Sequence, residues 1–162
     1  MGSMEDKRVL VVDDDAAIRG LLCTVVKREQ VAVDYAADGA AAIKMLQQRS
    51  YSLVLLDLMM PRLDGFGVID FLKQNPIEPK PVVLVLSAYE DQKLKDIDSE
   101  IVAGVMRKPF EVADIGRLVH ACVSGPRSDV ARLLQLSRDR ALQSFPNESF
   151  LSPPDDESFR DH

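Results

Sequence analysis

The chain has 162 residues, 46% of them hydrophobic, and a formal net charge of -6 at pH 7. This length and composition suit one domain of ordinary size with a modest extension. Because nucleic acids and anionic lipids attract basic surfaces, the acidic balance argues against direct nucleic-acid binding and against membrane attachment. No apolar run approaches the roughly 20 residues of a membrane span, so we expect a cytoplasmic protein.

Strand-like and helix-like patterns alternate as far as Ser124. Short β-branched runs that predict strands begin at Val9, Val31, Leu53, Val82 and Gly104. Apolar residues at three-and-four spacing predict helices over 16–29, 39–49, 65–72, 91–100 and 111–123, with the weakest pattern in the fourth. Strict alternation with short connections predicts a doubly wound α/β fold, with a five-stranded parallel sheet and helices on both faces.

The pattern changes at both ends of this alternating region. Residues 1–3 precede a second methionine, and we interpret them as an expression scar. We expect residues 4–124 to form the α/β domain, because Gly125 and Pro126 then break the last helix. Residues 125–162 are therefore expected to be a C-terminal extension.

This extension is predicted to contain one amphipathic helix over about 129–145, followed by a disordered tail rich in Pro, Ser and acidic residues. The apolar residues of the helix are Val130, Leu133, Leu134, Ala141 and Phe145. Such a face is suited to three uses, which are packing on the domain, pairing with another copy, or continuing towards an output domain.

Polar residues lie at the carboxyl ends of four predicted strands, where open parallel sheets bind ligands. They are Asp13 and Asp14, Asp57, Ser87 and Lys108. Carboxylates about 4 Å apart repel by roughly 1 kcal/mol in water and about 4 kcal/mol at an effective dielectric of about 20, so three of them require a counter-charge. Mg²⁺ binds carboxylate and carbonyl oxygens and leaves positions for phosphate oxygens, which predicts a magnesium site, with Mn²⁺ as the other candidate ion.

Two further residues complete the predicted chemistry. Lys108 is placed to pair with a phosphoryl oxygen, and the Ser87 hydroxyl can donate a hydrogen bond to another. Asp15, by contrast, is interpreted as the N-cap of the first helix. The set therefore favours phosphoryl transfer to a carboxylate.

With these residues, the segment from Lys7 to Val123 resembles the receiver domains of bacterial two-component response regulators, which have a flavodoxin-like fold. The resemblance rests on Asp13-Asp14, Asp57 within DLMMPRLDG, Ser87-Ala88 and Lys108-Pro109-Phe110, in that order. It implies that Asp57 accepts a phosphoryl group from a sensor histidine kinase, a phosphotransfer protein or a small donor such as acetyl phosphate. It also implies a signalling phosphoacceptor that catalyses only its own phosphorylation and dephosphorylation.

The resemblance implies roles for the other site residues as well. Asp14, Asp57 and the backbone carbonyl of Met59 are expected to bind the metal directly, and Asp13 mainly through water. Lys108 and Ser87 are expected to hold the phosphoryl oxygens. The expected output is a switch in protein–protein contacts, as a monomer or a phosphorylation-dependent homodimer, acting on a downstream protein or on an output domain absent from this sequence.

Three positions depart from or qualify the family pattern. Many receivers carry Tyr or Phe where this chain has Val105, so the aromatic switch is missing. Met59 and Tyr89 are bulky residues beside the expected site, and excluding water protects a reactive intermediate. We therefore expect slow self-dephosphorylation.

Two other functions remain open on the sequence. A phosphohydrolase of the haloacid dehalogenase type also combines an α/β sheet, a nucleophilic aspartate and Mg²⁺, but its DxDx(T/V) pattern would place Ala17 where Thr or Val is needed. The other is a receiver used only for docking. Such a protein would not require the acidic pair together with Asp57, Ser87 and Lys108, so the presence of all these residues counts against it. Mg²⁺-dependent labelling of Asp57 separates these possibilities.

Overall fold

The computed structural model describes residues 7–88 and 94–144. In this part of the chain, five strands pair in parallel to form one sheet with the order β2-β1-β3-β4-β5. The strands are β1 (Arg8–Val12), β2 (Ala32–Ala36), β3 (Leu53–Asp57), β4 (Val82–Ser87) and β5 (Val102–Arg107). The predicted doubly wound fold is confirmed.

Helices connect and flank these strands. They are α1 (Ala16–Arg28), α2 (Gly39–Gln48), α3 (Gly65–Gln74), α4 (Val112–Ser124) and α5 (Arg127–Ser144). The helix predicted over 91–100 begins outside the described residues, and its described part, 94–100, consists mostly of turns. None of the helices in 7–88 and 94–144 has both the length and the apolarity needed to cross a membrane.

The two faces of the sheet carry separate apolar clusters. Val9 and Val11 contribute to the cluster under α1, α4 and α5, whereas Leu10 and Val12 contribute to the cluster under α2 and α3. Each of these four side chains is at most 1% exposed, and full burial of such a side chain stabilises the fold by about 1.5–3 kcal/mol. Burial on both faces therefore holds the end of β1, and with it the acidic residues that follow.

Aspartates set the start of the first three helices. Asp15 accepts hydrogen bonds from the backbone N–H groups of Ala17 at 2.9 Å and Ile18 at 3.2 Å. Asp38 and Asp64 each accept one N–H bond from the first turn of α2 and of α3. The predicted capping role of Asp15 is confirmed, and the loss of such a cap costs about 1 kcal/mol.

The extension helix α5 packs against the preceding domain. Its residues Val130 and Leu134 are 7% and 9% exposed and belong to the same apolar cluster as β1 and α4. Of the three uses open to this helix on the sequence, the described contacts correspond to packing on the domain. Phe145, the tail expected over 146–162 and the expected expression scar at 1–3 lie outside the described residues.

Candidate functional site

Three carboxylates from two strand ends meet at one edge of the sheet. Asp13 and Asp14 follow β1, and Asp57 ends β3, the neighbouring strand. One oxygen from each lies within 4.8 Å of the other two. Asp13 is fully buried and Asp57 is 4% exposed, whereas Asp14 faces solvent. The structure therefore brings together the three aspartates that the sequence singled out.

A lysine from the fifth strand supplies a positive charge. Lys108 follows β5, its peptide bond to Pro109 is cis, and its side chain is 17% exposed. Its Nζ donates a hydrogen bond to Asp13 Oδ2 at 2.9 Å and lies 3.5 Å from Asp57 Oδ1. The ammonium is thus shared unequally between two buried carboxylates, with Asp13 as the closer partner.

The loop after Asp57 follows the end of β3 closely because Gly65 has no side chain. The Gly65 N–H donates to the Leu58 carbonyl at 3.1 Å. A Cβ at this position would lie 2.5 Å from the Asp57 carbonyl oxygen and 2.7 Å from the Leu58 Cα. Since both obstacles are backbone atoms, the loop requires glycine here.

The environment of Asp57 disfavours its charge. Burial raises the pKa of the Asp57 carboxyl, and the neighbouring charge of Asp13 raises this pKa further. Lys108 and the backbone N–H of Met59, which donates to Asp57 Oδ1 at 3.2 Å, act in the opposite direction. Burial and Asp13 together outweigh Lys108 and the Met59 N–H, so the Asp57 carboxyl holds its proton more tightly than a free aspartate does.

Ser87 and Met59 lie next to this constellation. Ser87 is fully buried at the end of β4, one position beyond the residue that pairs in register with Asp57. The Ser87 carbonyl accepts the N–H of Lys108 at 2.9 Å. The Met59 side chain is 52% exposed, and its backbone N–H contacts Asp57 as described. Phosphoryl binding by Ser87 and metal binding by the Met59 carbonyl remain predictions.

The switch position differs from the aromatic residue expected in many receivers. Val105 is half-buried and packs against the apolar cluster under α2 and α3. Its small side chain leaves no ring to turn inwards. Tyr89, the other residue predicted to shield the site, lies outside the described residues.

Sequence reasoning missed Arg19. Its Nη1 donates to the backbone carbonyl of Asp13 at 3.0 Å, and its guanidinium lies 5.5 Å from the centre of the Tyr35 ring. Tyr35 is exposed, and a cation–π contact at an exposed site contributes about 0.5–1 kcal/mol. The sequence feature that could have identified Arg19 is its position in the first turn of the helix that follows the acidic pair.

The donor atoms fit a hard divalent cation. Two buried carboxylates and one exposed carboxylate offer oxygens at short mutual distances, and Lys108, the lysine found beside them among the described residues, offsets only part of their charge. Mg²⁺ prefers one or two carboxylates together with waters and phosphate oxygens. Asp13, Asp14 and Asp57 would hold the ion. The bound ion would neutralise negative charge on a phosphoryl group. This acidic triad is typical of the Mg²⁺ site of receivers.

Known proteins are similar in sequence to this chain. The model of the response regulator receiver domain family matches residues 9–120. The transcriptional regulatory protein ResD of Bacillus subtilis is 39% identical over 92 residues, which are 57% of this chain and 37% of ResD. The chain spans between 37% and 58% of the length of the first five curated relatives.

Solved structures agree with this match. The receiver domain of a response regulator from Bermanella marisrubri has a TM-score of 0.66 and 35% identity, covering 74% of this chain and 99% of that chain. The response regulator TrrA from Thermotoga maritima, solved in complex with Mg²⁺ and BeF, has a TM-score of 0.62 and 29% identity, covering 72% and 98%. With its strand order, its acidic pocket and a family match over most of its length, the chain belongs to the response regulator receiver domain family.

Proposed function

We propose that the chain is a phosphoacceptor that receives a phosphoryl group on Asp57 and passes the signal on through protein–protein contacts. The observation that carries this proposal is the convergence of Asp57, Asp13 and Lys108 at buried strand ends. A raised carboxyl pKa at Asp57 and a cation within 3.5 Å of its oxygen suit a nucleophile whose product is an anion. The family is typically a signalling phosphoacceptor rather than an enzyme.

The proposed step is a phosphoryl transfer. An Asp57 carboxylate oxygen attacks the phosphorus of a phosphohistidine or of acetyl phosphate, a new P–O bond forms, and the bond to histidine nitrogen or acetate oxygen breaks with its electron pair. Lys108 leaves Asp13 and pairs with a phosphoryl oxygen, while the Ser87 hydroxyl donates to another. The complex of TrrA with Mg²⁺ and BeF supports the use of Mg²⁺ by Asp13, Asp14, Asp57 and the Met59 carbonyl.

The division of the chain forms part of the proposal. We assign the receiver unit to residues 4–124 and treat 125–162 as an extension that adds to it. Receivers have a kinase partner in general, which makes a histidine kinase or phosphotransfer protein the proposed donor. The downstream target is a protein that reads the receiver surface.

Labelling by acetyl phosphate tests this function. We expect intact-protein mass spectrometry to show addition of one phosphoryl group in Mg²⁺ and none after chelation. Asp57→Ala should abolish the label, whereas Asp70→Ala, which removes an exposed aspartate from α3, should leave it. A label that survives Asp57→Ala contradicts the assignment of Asp57. Hydrolysis of acetyl phosphate without a stable phosphoprotein would instead favour the phosphohydrolase.

The lifetime of the acyl phosphate gives a second test. Met59 lies beside Asp57 with its side chain half exposed, and a polar replacement should admit water more readily. We expect Met59→Asn to accelerate decay of the label severalfold after removal of the donor, measured by mass spectrometry. Leu21→Asn, which alters an exposed leucine on α1, is the control. Equal lifetimes in the three proteins would show that Met59 does not shield the site.

A further inference from the structure

The contact between α5 and β5 depends on a glycine of β5, which has no side chain to block the approach of the helix. Gly104 lies within β5, and a Cβ there would be 2.7 Å from Leu134 Cδ2 and 3.3 Å from both Leu134 Cδ1 and Cγ. All three nearest atoms belong to this one leucine. Leu134 therefore occupies the space in front of Gly104, which we call the Gly104 notch. Glycine inside a strand often marks such a close approach.

The described apolar contact between α5 and the domain is made by a small number of side chains. Val130 and Leu134 are buried and Leu133 is half-buried, whereas Leu136 is 45% exposed on the same helix. Among the described residues, α5 buries fewer apolar side chains than the core strands do, and segments with few buried apolar contacts open at a lower free energy than the core. Docking of α5 is thus a local equilibrium that a modest change in β5 is able to shift.

The strand that carries the notch also carries the site lysine. Gly104 and Lys108 are four residues apart, which is about 13 Å along a strand. Met106, between them, is 5% exposed and belongs to the same apolar cluster as Leu134. Lys108 Nζ is hydrogen-bonded to Asp13, and a phosphoryl group on Asp57 would compete for that ammonium. Any movement of the end of β5 reaches Met106 and the notch through one continuous strand.

We propose that the Gly104 notch, with the adjoining surface of α4, is a binding surface whose ligand is the chain's own helix α5, and that phosphorylation of Asp57 releases this helix. This inference rests on the phosphoacceptor role proposed for Asp57. Leu134 fits closely against Gly104. A small displacement of β5 towards a phosphoryl group therefore removes much of the van der Waals contact between these two residues. Linkage requires the reverse effect as well, since loss of α5 docking must favour the phosphorylated arrangement.

Beryllofluoride, a mimic of the phosphoryl group, tests the forward effect in the full chain. We expect amides of residues 127–144 to exchange about fivefold faster or more after addition of Mg²⁺ and beryllofluoride, within the usual range of such couplings. Bound beryllofluoride is detected independently by ¹⁹F NMR. Unchanged exchange with the ligand bound would overturn the inference and leave the phosphoacceptor role standing. A chain that binds no beryllofluoride overturns the proposed function and the coupling with it.

Two leucines on α5 provide a matched test of the reverse effect. Leu134→Ala empties the notch and should tighten beryllofluoride binding about fivefold, whereas Leu136→Ala should bind as the wild type does. Gly104→Ala crowds Leu134 from the strand side, leaves the helix sequence intact and should act in the same direction as Leu134→Ala. Circular dichroism checks that each variant is folded. Equal affinities in Leu134→Ala, Gly104→Ala and Leu136→Ala would contradict the coupling.

Discussion

Replacing Lys108 by methionine should destabilise the protein by about 3 kcal/mol at neutral pH without divalent cations, because removing one partner of a buried ion pair leaves the other charge uncompensated. The lysine is 17% exposed, and its two partners, Asp13 and Asp57, are almost entirely buried. Methionine keeps most of the volume and removes only the cation. Urea unfolding followed by circular dichroism in the presence of a chelator measures the loss.

The same substitution at another ion pair is the control. Lys73 Nζ lies 3.1 Å from Asp98 Oδ2, but the lysine side chain is 64% exposed, and exposed pairs contribute only about 0–1 kcal/mol. We expect Lys73→Met to have a correspondingly small effect. Mg²⁺ should restore much of the stability lost in Lys108→Met, since it supplies the missing positive charge to the carboxylates. Equal losses in the two variants would contradict this account of the site.

Asp57→Asn should stabilise the protein at neutral pH. The pKa of Asp57 is raised in the folded state, chiefly by burial and next by Asp13, so the folded protein binds this proton more tightly than the unfolded chain does. Stability therefore falls as the pH rises from the unfolded pKa of about 3.9 through the raised folded pKa, and the loss is complete above it. Asparagine removes this cost, which is about 1.4 kcal/mol for each unit by which the pKa is raised.

Urea unfolding across the acidic range checks both the size and the sign of this effect. The advantage of Asp57→Asn should be greatest above the folded pKa and should shrink as the pH falls towards the unfolded value. Asp70→Asn alters an exposed aspartate on α3 and should change stability by less than about 0.5 kcal/mol at every pH. A stabilisation that persists at low pH would show that packing, rather than the charge of Asp57, is responsible.

Much of the fold and of the carboxylate cluster followed from local sequence patterns. Alternating strand-like and helix-like runs predicted the doubly wound sheet, because each pattern depends only on residues close in sequence. The strand order then placed the end of β1 beside the end of β3, which brought Asp13 and Asp14 to Asp57. The N-caps at Asp15 and Asp64 were predictable for the same local reason.

Contacts between distant segments were not predictable in this way. Lys108 lies closer to Asp13 than to Asp57, and this difference depends on the positions of three strands at once. The amphipathic pattern of α5 indicated a buried side but not the surface that covers it. Gly104, at the start of a predicted strand, was a sequence signal for that close approach, and its meaning depends on Leu134, thirty residues later.

The hydrogen bond between Lys108 and Asp13 joins residues 95 positions apart. During synthesis the carboxylates of β1 and β3 leave the ribosome well before β5 does, because domains emerge from the N-terminus onwards at about 5–20 residues per second. A nascent or prematurely terminated chain therefore has its acidic residues without the lysine that compensates them. Only chains translated through β5 and Lys108 contain all the charged residues of the site. Truncated products therefore lack the cation that the proposed phosphoryl transfer uses.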